Sequence, residues 1–530
     1  MEWLAGRIML MSGARRALVA FAAGLLAVLA LPPFGLFAAP FLSFPVLVWL
    51  IDGASGDPHD GMVKRSFPAF LVGWCFGFGY FLGGLWWLGN ALLVEADEFA
   101  WALPLAVVGL PAFLALFYGF ATAAARLLWS DGVSRIAALA LSFGFFEWLR
   151  SFVLTGFPWN AIGYAAMPVP LMMQSAAVIG LAGVNMLAVF VFAAPSLIGT
   201  RKGMRAGMAL AALLAAGHFG YGFYRMNQPL PARATALSVR LVQPLIDQSK
   251  KLDDSERSSI FEQHLDLTNA PVENGGRRPD VIVWPETSVP FILTDNPDAL
   301  VRISDVLEDG QILIAGAVRT ENAGAGQPPR YYNSIYVIDD RGQIVSASDK
   351  RHLVPFGEYL PFENLLSAAG LNAIAAAMPG GFSAAAVRTL LTLPAGTKFY
   401  PLICYEAIFP GEIGDEVLEA DALLNVTNDA WFGNTPGPYQ HFQQAQLRSV
   451  ETGLPLIRAA NTGVSAIVNG RGEIMTGFPF GVRGYVDAAL PGRASVPMQL
   501  HEQRRNGLLV AACLLGMAIF SRFSFILRKN

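Results

Sequence analysis

The chain has 530 residues, of which 54% are hydrophobic and 15% charged, and its mean hydropathy is +0.45. This composition is too apolar for a soluble protein, and a formal net charge of -3 gives no indication of nucleic-acid binding. The six His and three Cys residues form neither HExxH nor CxxC, so we expect neither a metal site nor a cofactor site.

Eight apolar segments are long enough to suggest membrane helices, because charged residues are absent from them or rare. The first stretch, 17–51, contains Pro32-Pro33-Phe34-Gly35 and is predicted to form two helices joined by a turn. Arg15-Arg16 before it also suits a signal peptide, but further spans follow at once and favour a retained helix. The remaining segments are 66–94, 99–125, 136–154, 170–198, 207–224 and 506–521.

Basic residues collect in alternate loops between these segments. They are Arg15, Arg16, Lys64, Arg65, Arg126, Arg135, Arg201, Lys202, Arg205, Arg522, Arg528 and Lys529. The loop between the third and fourth segments instead carries Glu95, Asp97 and Glu98. Since basic loops stay in the cytoplasm, we predict a seven-helix membrane domain at 1–228, an outward-facing domain at 229–498 and a C-terminal membrane helix at 499–530.

Glu147 and Arg150 interrupt the fifth apolar segment. An acid and a base three residues apart can neutralise each other on one helix face. Charged residues at membrane depth are also candidates for function. The following Thr155-Gly156-Phe157-Pro158-Trp159 resembles a re-entrant or interfacial turn that could line a lipid entrance. Both interpretations stay open.

The polar segment from about 235 to 497 has the pattern of an α/β domain, because short β-branched runs alternate with amphipathic stretches. Predicted strands are 239–243, 281–284, 312–318, 334–338, 399–404, 422–426 and 465–469. Predicted helices are 255–267, 297–308 and 439–452. A long apolar loop at 368–386 is either a mobile lid that touches lipid or a loop packed on its own domain.

Three reactive side chains follow strand-like runs in this domain. Glu286 follows Val281-Ile282-Val283-Trp284-Pro285, Lys350 follows a hairpin-like segment, and Cys404 follows Leu402-Ile403. Side chains at strand ends form the usual rim of an α/β active site. Cys404 is the domain's one cysteine, so it is either a buried small hydrophobic residue or a nucleophile. The presence of Glu286 and Lys350 in similar positions favours the nucleophile.

The local sequences around these three residues resemble the Glu, Lys and Cys signatures of the nitrilase superfamily. They are Val283-Trp284-Pro285-Glu286, the run from Lys350 to Glu358, and Ile403-Cys404-Tyr405-Glu406. Two further runs fit: Tyr332-Asn333-Ser334, and the run from Asn425 to Gly433. Together with seven preceding spans and one following span, the chain resembles the apolipoprotein N-acyltransferase family. The resemblance implies an αββα nitrilase-like domain fused to about eight transmembrane helices.

The chemistry of the residues assigns a role to each member of the trio. Cys404 would be the nucleophile, Glu286 the base that takes its proton, and Lys350 the cation that stabilises the oxyanion. Glu358 and Glu406 would hold Lys350 or assist proton transfer, although an ordinary salt bridge is the alternative for both. Other supporting or substrate-binding candidates are Asn333, Tyr405 and Trp431.

The resemblance also implies the reaction and its partners. A phospholipid of the phosphatidylethanolamine type would donate an acyl chain to Cys404, and the amine of a diacylglyceryl apolipoprotein would accept it. The implied location is the bacterial inner membrane, with the catalytic domain on the periplasmic side. One departure is that Leu252 stands where the family commonly has Trp, so any contact of that Trp is in doubt here.

Two other functions use the same features. A membrane-tethered amidase or nitrilase would use the same three residues with water as the acceptor. A binding module on a transporter-like membrane domain would need no catalysis at all. The presence of all three residues in their expected motifs argues against the binding module, and a requirement for phospholipid would exclude the amidase.

Overall fold

The computed structural model describes residues 1–233, 236–272, 277–324, 327–362 and 381–527. The chain divides into two compact units. One consists of Met1–Pro229 together with Val496–Asn530, and the other of Leu230–Ser495. The first unit is helical, whereas the second contains the β-sheets.

A helix occupies each of the eight predicted apolar segments. The eight helices are Gly13–Ala27, Pro40–Gly53, Met62–Leu85, Leu110–Leu127, Val133–Arg150, Ala176–Ala193, Met204–Met226 and Leu500–Leu527. Shorter helices in this unit are Glu2–Met9, Gly89–Leu93, Ala96–Phe99 and Pro170–Met173. Among the described residues, five helical stretches are long and apolar enough to cross a membrane, and Pro40–Gly53 is a shorter apolar helix. These helices are those of a multi-pass membrane protein.

Two glycines allow the helices Gly13–Ala27 and Met62–Leu85 to approach closely. A Cβ atom added to Gly24 would lie 1.9 Å from the carbonyl oxygen of Phe76, and one added to Gly79 would lie 2.1 Å from that of Phe21. Because both clashes involve backbone atoms, larger residues would force the helices apart. Small residues at contacts of this kind are typical of helices that pack within a membrane.

Glu147 and Arg150 form a buried ion pair with an Nη2–Oε2 distance of 2.5 Å. The Arg150 guanidinium also donates to the carbonyl oxygens of Phe157 and Trp159, the latter at 3.0 Å. Glu147 accepts a hydrogen bond of 2.7 Å from the Tyr118 hydroxyl. The contacts agree with the interpretation that the two charges neutralise each other, and they tie the turn after the helix to the helix itself.

The second unit contains two six-stranded sheets. The strands are β1 (Ser238–Gln243), β2 (Val281–Val283), β3 (Ile312–Glu321), β4 (Arg330–Ile338), β5 (Ile344–Asp349), β6 (Leu391–Thr392), β7 (Lys398–Ile403), β8 (Ala422–Thr427), β9 (Leu456–Ala460), β10 (Ser465–Val468), β11 (Ile474–Phe478) and β12 (Gly484–Ala489). Their orders are β12-β1-β2-β3-β4-β5 and β11-β10-β9-β8-β7-β6. In each sheet the central three strands, β1-β2-β3 and β7-β8-β9, are parallel, and the outer pairs are antiparallel.

The main core lies between the two sheets. Alternate residues of both sheets, among them Val239, Val283, Phe399 and Val426, form one buried apolar cluster. A second cluster joins the other face of the first sheet to the helices Arg257–Thr268 and Pro297–Val306. The helix Gly437–Thr452 packs at the second sheet, where its His441 contacts Arg458 of β9. The unit is therefore an αββα sandwich, which confirms the predicted fold class.

The predicted strands and helices are all present with small shifts at their ends, but five strands were missed. The missed strands are β5, β6, β9, β11 and β12, most of which lie at or near sheet edges. The apolar loop predicted over 368–386 lies outside the described residues up to residue 380, as do the basic residues Arg528 and Lys529.

Candidate active site

The structure brings the predicted trio together at strand ends. Lys350 and Cys404 follow β5 and β7 directly, and Glu286 lies three residues after β2. The Oε1 atom of Glu286 is 3.4 Å from the Nζ atom of Lys350, and both side chains are buried. The charges of both residues act on the pKa of the Cys404 thiol, as expected for three neighbouring groups.

The ammonium of Lys350 is held by two carboxylates. Its Nζ atom donates to Oε1 of Glu358 at 2.8 Å, and the other Glu358 oxygen accepts the N–H of Val354 at 2.8 Å. Burial lowers the pKa of Lys350, but the negative charges of Glu358 and Glu286 more than offset it, so the pKa lies well above its usual value. Lys350 is therefore cationic at neutral pH and can stabilise negative charge nearby.

Glu286 is fixed through its carboxylate. Asn333 of β4 donates hydrogen bonds through Nδ2 to Glu286 at 2.7 Å and to Glu358 at 2.8 Å, so one amide bridges the two acids. The remaining oxygen of Glu286 accepts the N–H of Asn428 at 2.9 Å. These contacts confine the carboxylate to one orientation, which a general base requires.

Lys251 holds the backbone of Glu286, and sequence reasoning did not identify it. Its Nζ atom donates to the carbonyl oxygens of Glu286 and Thr287 at 3.2 and 3.0 Å. Thr287 has a φ of +44°, which is rare for a residue with a branched side chain. Burial lowers the pKa of Lys251 to about 8. The available signal was that Lys251 immediately precedes Leu252, which stands where the family commonly has Trp.

Cys404 lies at a sharp turn between β7 and the short helix Cys404–Ile408. Its φ is +51°, in the left-handed region that residues other than glycine seldom adopt. Burial and the charge of Glu286 raise the pKa of the thiol far above its usual value, although the cation of Lys350 opposes the shift. The resting thiol is therefore protonated, and it needs a base to become a nucleophile.

Glu406 binds the turn that carries Cys404 to the loop after Lys350. It accepts the N–H groups of Ile403 at 2.7 Å and Arg351 at 2.9 Å, and its Oε1 is 2.7 Å from Nη2 of Arg388. Burial raises the pKa of Glu406, but the charge of Arg388 and the N–H donors lower it by a larger amount. The net pKa of Glu406 is therefore below its usual value. Its cationic partner is Arg388, whereas the predicted contact with Lys350 is made by Glu358.

Two aromatic candidates have different surroundings. The Tyr405 side chain is buried, and its ring packs against those of His352 and Phe409 at centroid distances of 5.6 and 4.9 Å. Trp431 is half-buried in the short helix Asp429–Phe432, which follows β8. Both therefore lie on turns next to strands of the site, and their contact with substrate remains a prediction.

A buried polar network lies behind Cys404, and sequence reasoning missed it. His441 Nε2 is 3.0 Å from the carbonyl oxygen of Cys404, and His441 Nδ1 is 2.8 Å from Asp429 Oδ1. Arg458 Nη2 donates to the other Asp429 oxygen at 2.8 Å. The available signal was the helix Gly437–Thr452, which is rich in polar residues yet almost entirely buried. Among the described residues, no cluster of His, Cys, Asp and Glu suits a metal ion.

Comparison with known proteins adds two family matches and full-length relatives. Residues 23–194 match the model of the apolipoprotein N-acyltransferase N-terminal domain, and residues 238–495 match that of carbon-nitrogen hydrolase. Proteins named apolipoprotein N-acyltransferase from Rhizobium meliloti (strain 1021) and Sinorhizobium fredii (strain NBRC 101917 / NGR234) are each 66% identical over 531 residues, with both chains fully covered. The protein of that name from Agrobacterium fabrum (strain C58 / ATCC 33970) is 61% identical over 530 residues, again with full coverage.

Proposed function

This chain belongs to the apolipoprotein N-acyltransferase family, and from that membership we propose how its residues carry out lipoprotein N-acylation. The observation that carries the proposal is the buried cluster in which Glu286 lies 3.4 Å from Lys350 and both residues influence the Cys404 thiol. Thioester formation requires a thiol with a base and a stabilising cation nearby. The chain is accordingly a membrane-bound acyltransferase with a Glu-Lys-Cys triad.

In the first half-reaction, Glu286 takes the proton of the Cys404 thiol as sulfur attacks the sn-1 ester carbonyl of a phospholipid. Lys350 stabilises the oxyanion that forms. The ester C–O bond then breaks, the lysophospholipid oxygen takes the proton from Glu286, and the acyl chain remains on Cys404 as a thioester. The phospholipid is of the phosphatidylethanolamine type.

In the second half-reaction, the α-amine of an S-diacylglyceryl cysteine attacks the thioester carbonyl. Glu286 accepts a proton from the amine, the C–S bond breaks, and the released sulfur is protonated again. The products are an amide on the apolipoprotein and free Cys404. Because the lysolipid leaves before the amine arrives, the kinetics are ping-pong.

The catalytic unit lies on the periplasmic side of the inner membrane. Support comes from the basic residues, which collect in alternate loops of the membrane unit and so favour a cytoplasmic position for those loops. Both substrates are lipids anchored in a membrane, so a multi-pass membrane unit keeps the enzyme where they are found. Apolipoproteins carry their lipid after export, which agrees with an outward-facing site.

Labelled phospholipid tests the mechanism. Purified protein given phospholipid with a radioactive sn-1 chain, and no acceptor, should release about one equivalent of lysolipid and carry hydroxylamine-sensitive label. Cys404→Ala should carry none, whereas Cys513→Ala, altered in the C-terminal helix, should label normally. If lysolipid appears only after a diacylglyceryl peptide is added, the reaction uses a ternary complex and Cys404 has another role. If a soluble amide forms the thioester without phospholipid, the chain is an amidase.

A further inference from the structure

We infer that His441, held in place by Asp429 and Arg458, is a positioning residue for Cys404. The inference rests on the proposed role of Cys404 as the nucleophile. Its basis is the contact of 3.0 Å between His441 Nε2 and the carbonyl oxygen of Cys404. A carbonyl oxygen only accepts hydrogen bonds, so Nε2 must carry a proton and donate it.

Asp429 and Arg458 fix the imidazole of His441. Asp429 Oδ1 is 2.8 Å from His441 Nδ1, and Asp429 Oδ2 accepts a hydrogen bond of 2.8 Å from Arg458 Nη2. Arg458 also donates through Nε to the carbonyl oxygen of Val464 at 3.2 Å. The side chains of Asp429, His441 and Arg458 are completely buried. Rotation of the imidazole would therefore leave buried polar groups without partners, which is costly.

The backbone at Cys404 requires such support. A non-glycine residue at a φ of +51° is strained, and strain of this kind persists only where the surroundings enforce it. The Cys404 carbonyl and the N–H of Tyr405 share one planar peptide group. By binding the carbonyl, His441 fixes the plane of that peptide group, and with it the backbone turn at Cys404 and the direction of the Tyr405 N–H group.

Thr427 supplies a second link from Asp429 to Cys404. Its hydroxyl donates to Asp429 Oδ1 at 2.9 Å and is hydrogen-bonded to the Cys404 side chain. Asp429 is thus joined to the backbone of Cys404 through His441 and to the sulfur through Thr427. The network orients both parts of the nucleophile without itself reaching the reacting carbon, so its loss should change the rate of acylation more than the binding of phospholipid.

The test compares two pairs of matched variants in the intact protein. His441→Gln is paired with His264→Gln, because His264 is also a fully buried histidine of the catalytic unit but bonds to Ile260 within its own helix. Asp429→Asn is paired with Asp487→Asn, because Asp487 is likewise a buried carboxylate bonded to an arginine, Arg240. For each variant, the burst of lysolipid gives the acylation rate and the KM for phospholipid, and thermal unfolding gives the Tm.

We expect the paired variants His441→Gln and Asp429→Asn to slow acylation about 10- to 100-fold with KM within about twofold of the wild type, and the additional variant His441→Ala to slow it further. His441→Gln should retain more activity than His441→Ala, because its amide still offers a donor. The two control variants should lower Tm without slowing acylation comparably. If His441→Ala does not fold, His441→Gln and Asp429→Asn decide the matter.

Two outcomes separate this inference from the proposed function. If the His441 and Asp429 variants acylate as fast as their matched controls, the positioning role is wrong, and the triad mechanism still stands. If Cys404→Ala forms the same amount of thioester as the wild type, the proposed function itself fails. A loss of activity expressed only as a higher KM would also overturn the inference, because it would indicate a role in phospholipid binding.

Discussion

The surroundings of Cys404 keep its thiol protonated at rest. Burial and the negative charge of Glu286 raise its pKa, and the cation of Lys350 lowers it only in part. The carboxylate that disfavours the thiolate is also the base that we propose removes the proton during attack. In the proposed mechanism, the thiolate therefore forms only during attack on an ester, and the resting site holds a thiol.

This arrangement predicts opposite effects of Glu286→Gln on two reactions. Alkylation of Cys404 by iodoacetamide at pH 8 should become faster, because loss of the negative charge lowers the thiol pKa and each unit raises the thiolate fraction about tenfold. Acyl transfer should stop, because an amide cannot take the proton. Mass spectrometry of the Cys75→Ala, Cys513→Ala background, followed between pH 7 and 10, measures the alkylation.

Lys350→Met is the matching control for that experiment. Its cation lowers the thiol pKa, so its loss should slow alkylation at every pH below the wild-type pKa. In the wild type, the alkylation rate should keep rising above pH 9, since the pKa lies above its usual value. A faster reaction in both variants, or a slower one in both, would contradict the assigned charges.

Glu406 is predicted to act on stability through a buried ion pair. Glu406→Gln would leave the guanidinium of Arg388 buried without its carboxylate, a change that typically costs about 3–5 kcal/mol. We therefore expect a clear fall in the Tm of the purified protein. Glu419→Gln is the control: the Glu419–Lys398 pair is exposed, so its loss should change the Tm little. Equal effects of the two substitutions would rule out this role.

At the scale of elements, a close contact between β3 and the turn after β2 holds Glu286 in position. Gly316 N–H donates to the Pro285 carbonyl oxygen at 3.2 Å, and the Gly316 carbonyl oxygen accepts the N–H of Ser288 at 2.9 Å. A Cβ atom at Gly316 would lie 2.4 Å from the Pro285 oxygen and 2.7 Å from the Glu286 Cα. The glycine therefore leaves the space in which the turn can carry Glu286 toward Lys350.

Gly316→Ala should move Glu286 and slow acylation about 100-fold, the usual effect of a displacement of about 1 Å. The matched control is Gly411→Ala, since a Cβ there would meet nothing within 4 Å. Lysolipid release without acceptor measures both variants. Normal acylation by Gly316→Ala would show that the turn tolerates displacement.

The sequence predicted the strands before Glu286 and Cys404, but neither β5 before Lys350 nor the side chains that support the site. Runs such as Val281–Val283 and Lys398–Ile403 are buried and β-branched or apolar, so they predict strands, and a reactive residue after each is visible at once. His441 and Lys251 gave no comparable signal, because a single histidine in a helix or a lysine after a turn is usually an ordinary residue. Their importance comes from contacts with residues 37 and 35 positions away.

At the scale of the whole molecule, the charge pattern predicts which side of the membrane each unit faces. Ser259 of the catalytic unit and Ser55 of the loop before Lys64 are both exposed. In a background lacking the native cysteines, an impermeant maleimide should label Ser259→Cys in spheroplasts but label Ser55→Cys only after permeabilisation. The reverse pattern would overturn the orientation and the argument from export.

The number of apolar segments was predictable from the sequence, whereas the contacts of the charged residues Glu147 and Arg150 within them were not. Each predicted segment forms a helix, because length and hydropathy are visible in the sequence. The two interpretations of Glu147 and Arg150 could not be separated without coordinates, since the partners of Arg150 are backbone carbonyls. Every residue has a backbone carbonyl oxygen, so a sequence does not indicate which carbonyl oxygens will accept hydrogen bonds from a guanidinium.

The pairing of Arg150 also has a consequence for the order in which the chain is made. Phe157 and Trp159, whose carbonyl oxygens bind the guanidinium, are synthesised after Arg150, whereas Glu147 and Tyr118 are synthesised before it. When this helix leaves the ribosome, the acid is already present to accompany the arginine, and the carbonyl partners follow. We therefore expect Glu147 to pair with Arg150 before the turn has formed, so that the arginine enters the membrane as half of a neutral ion pair.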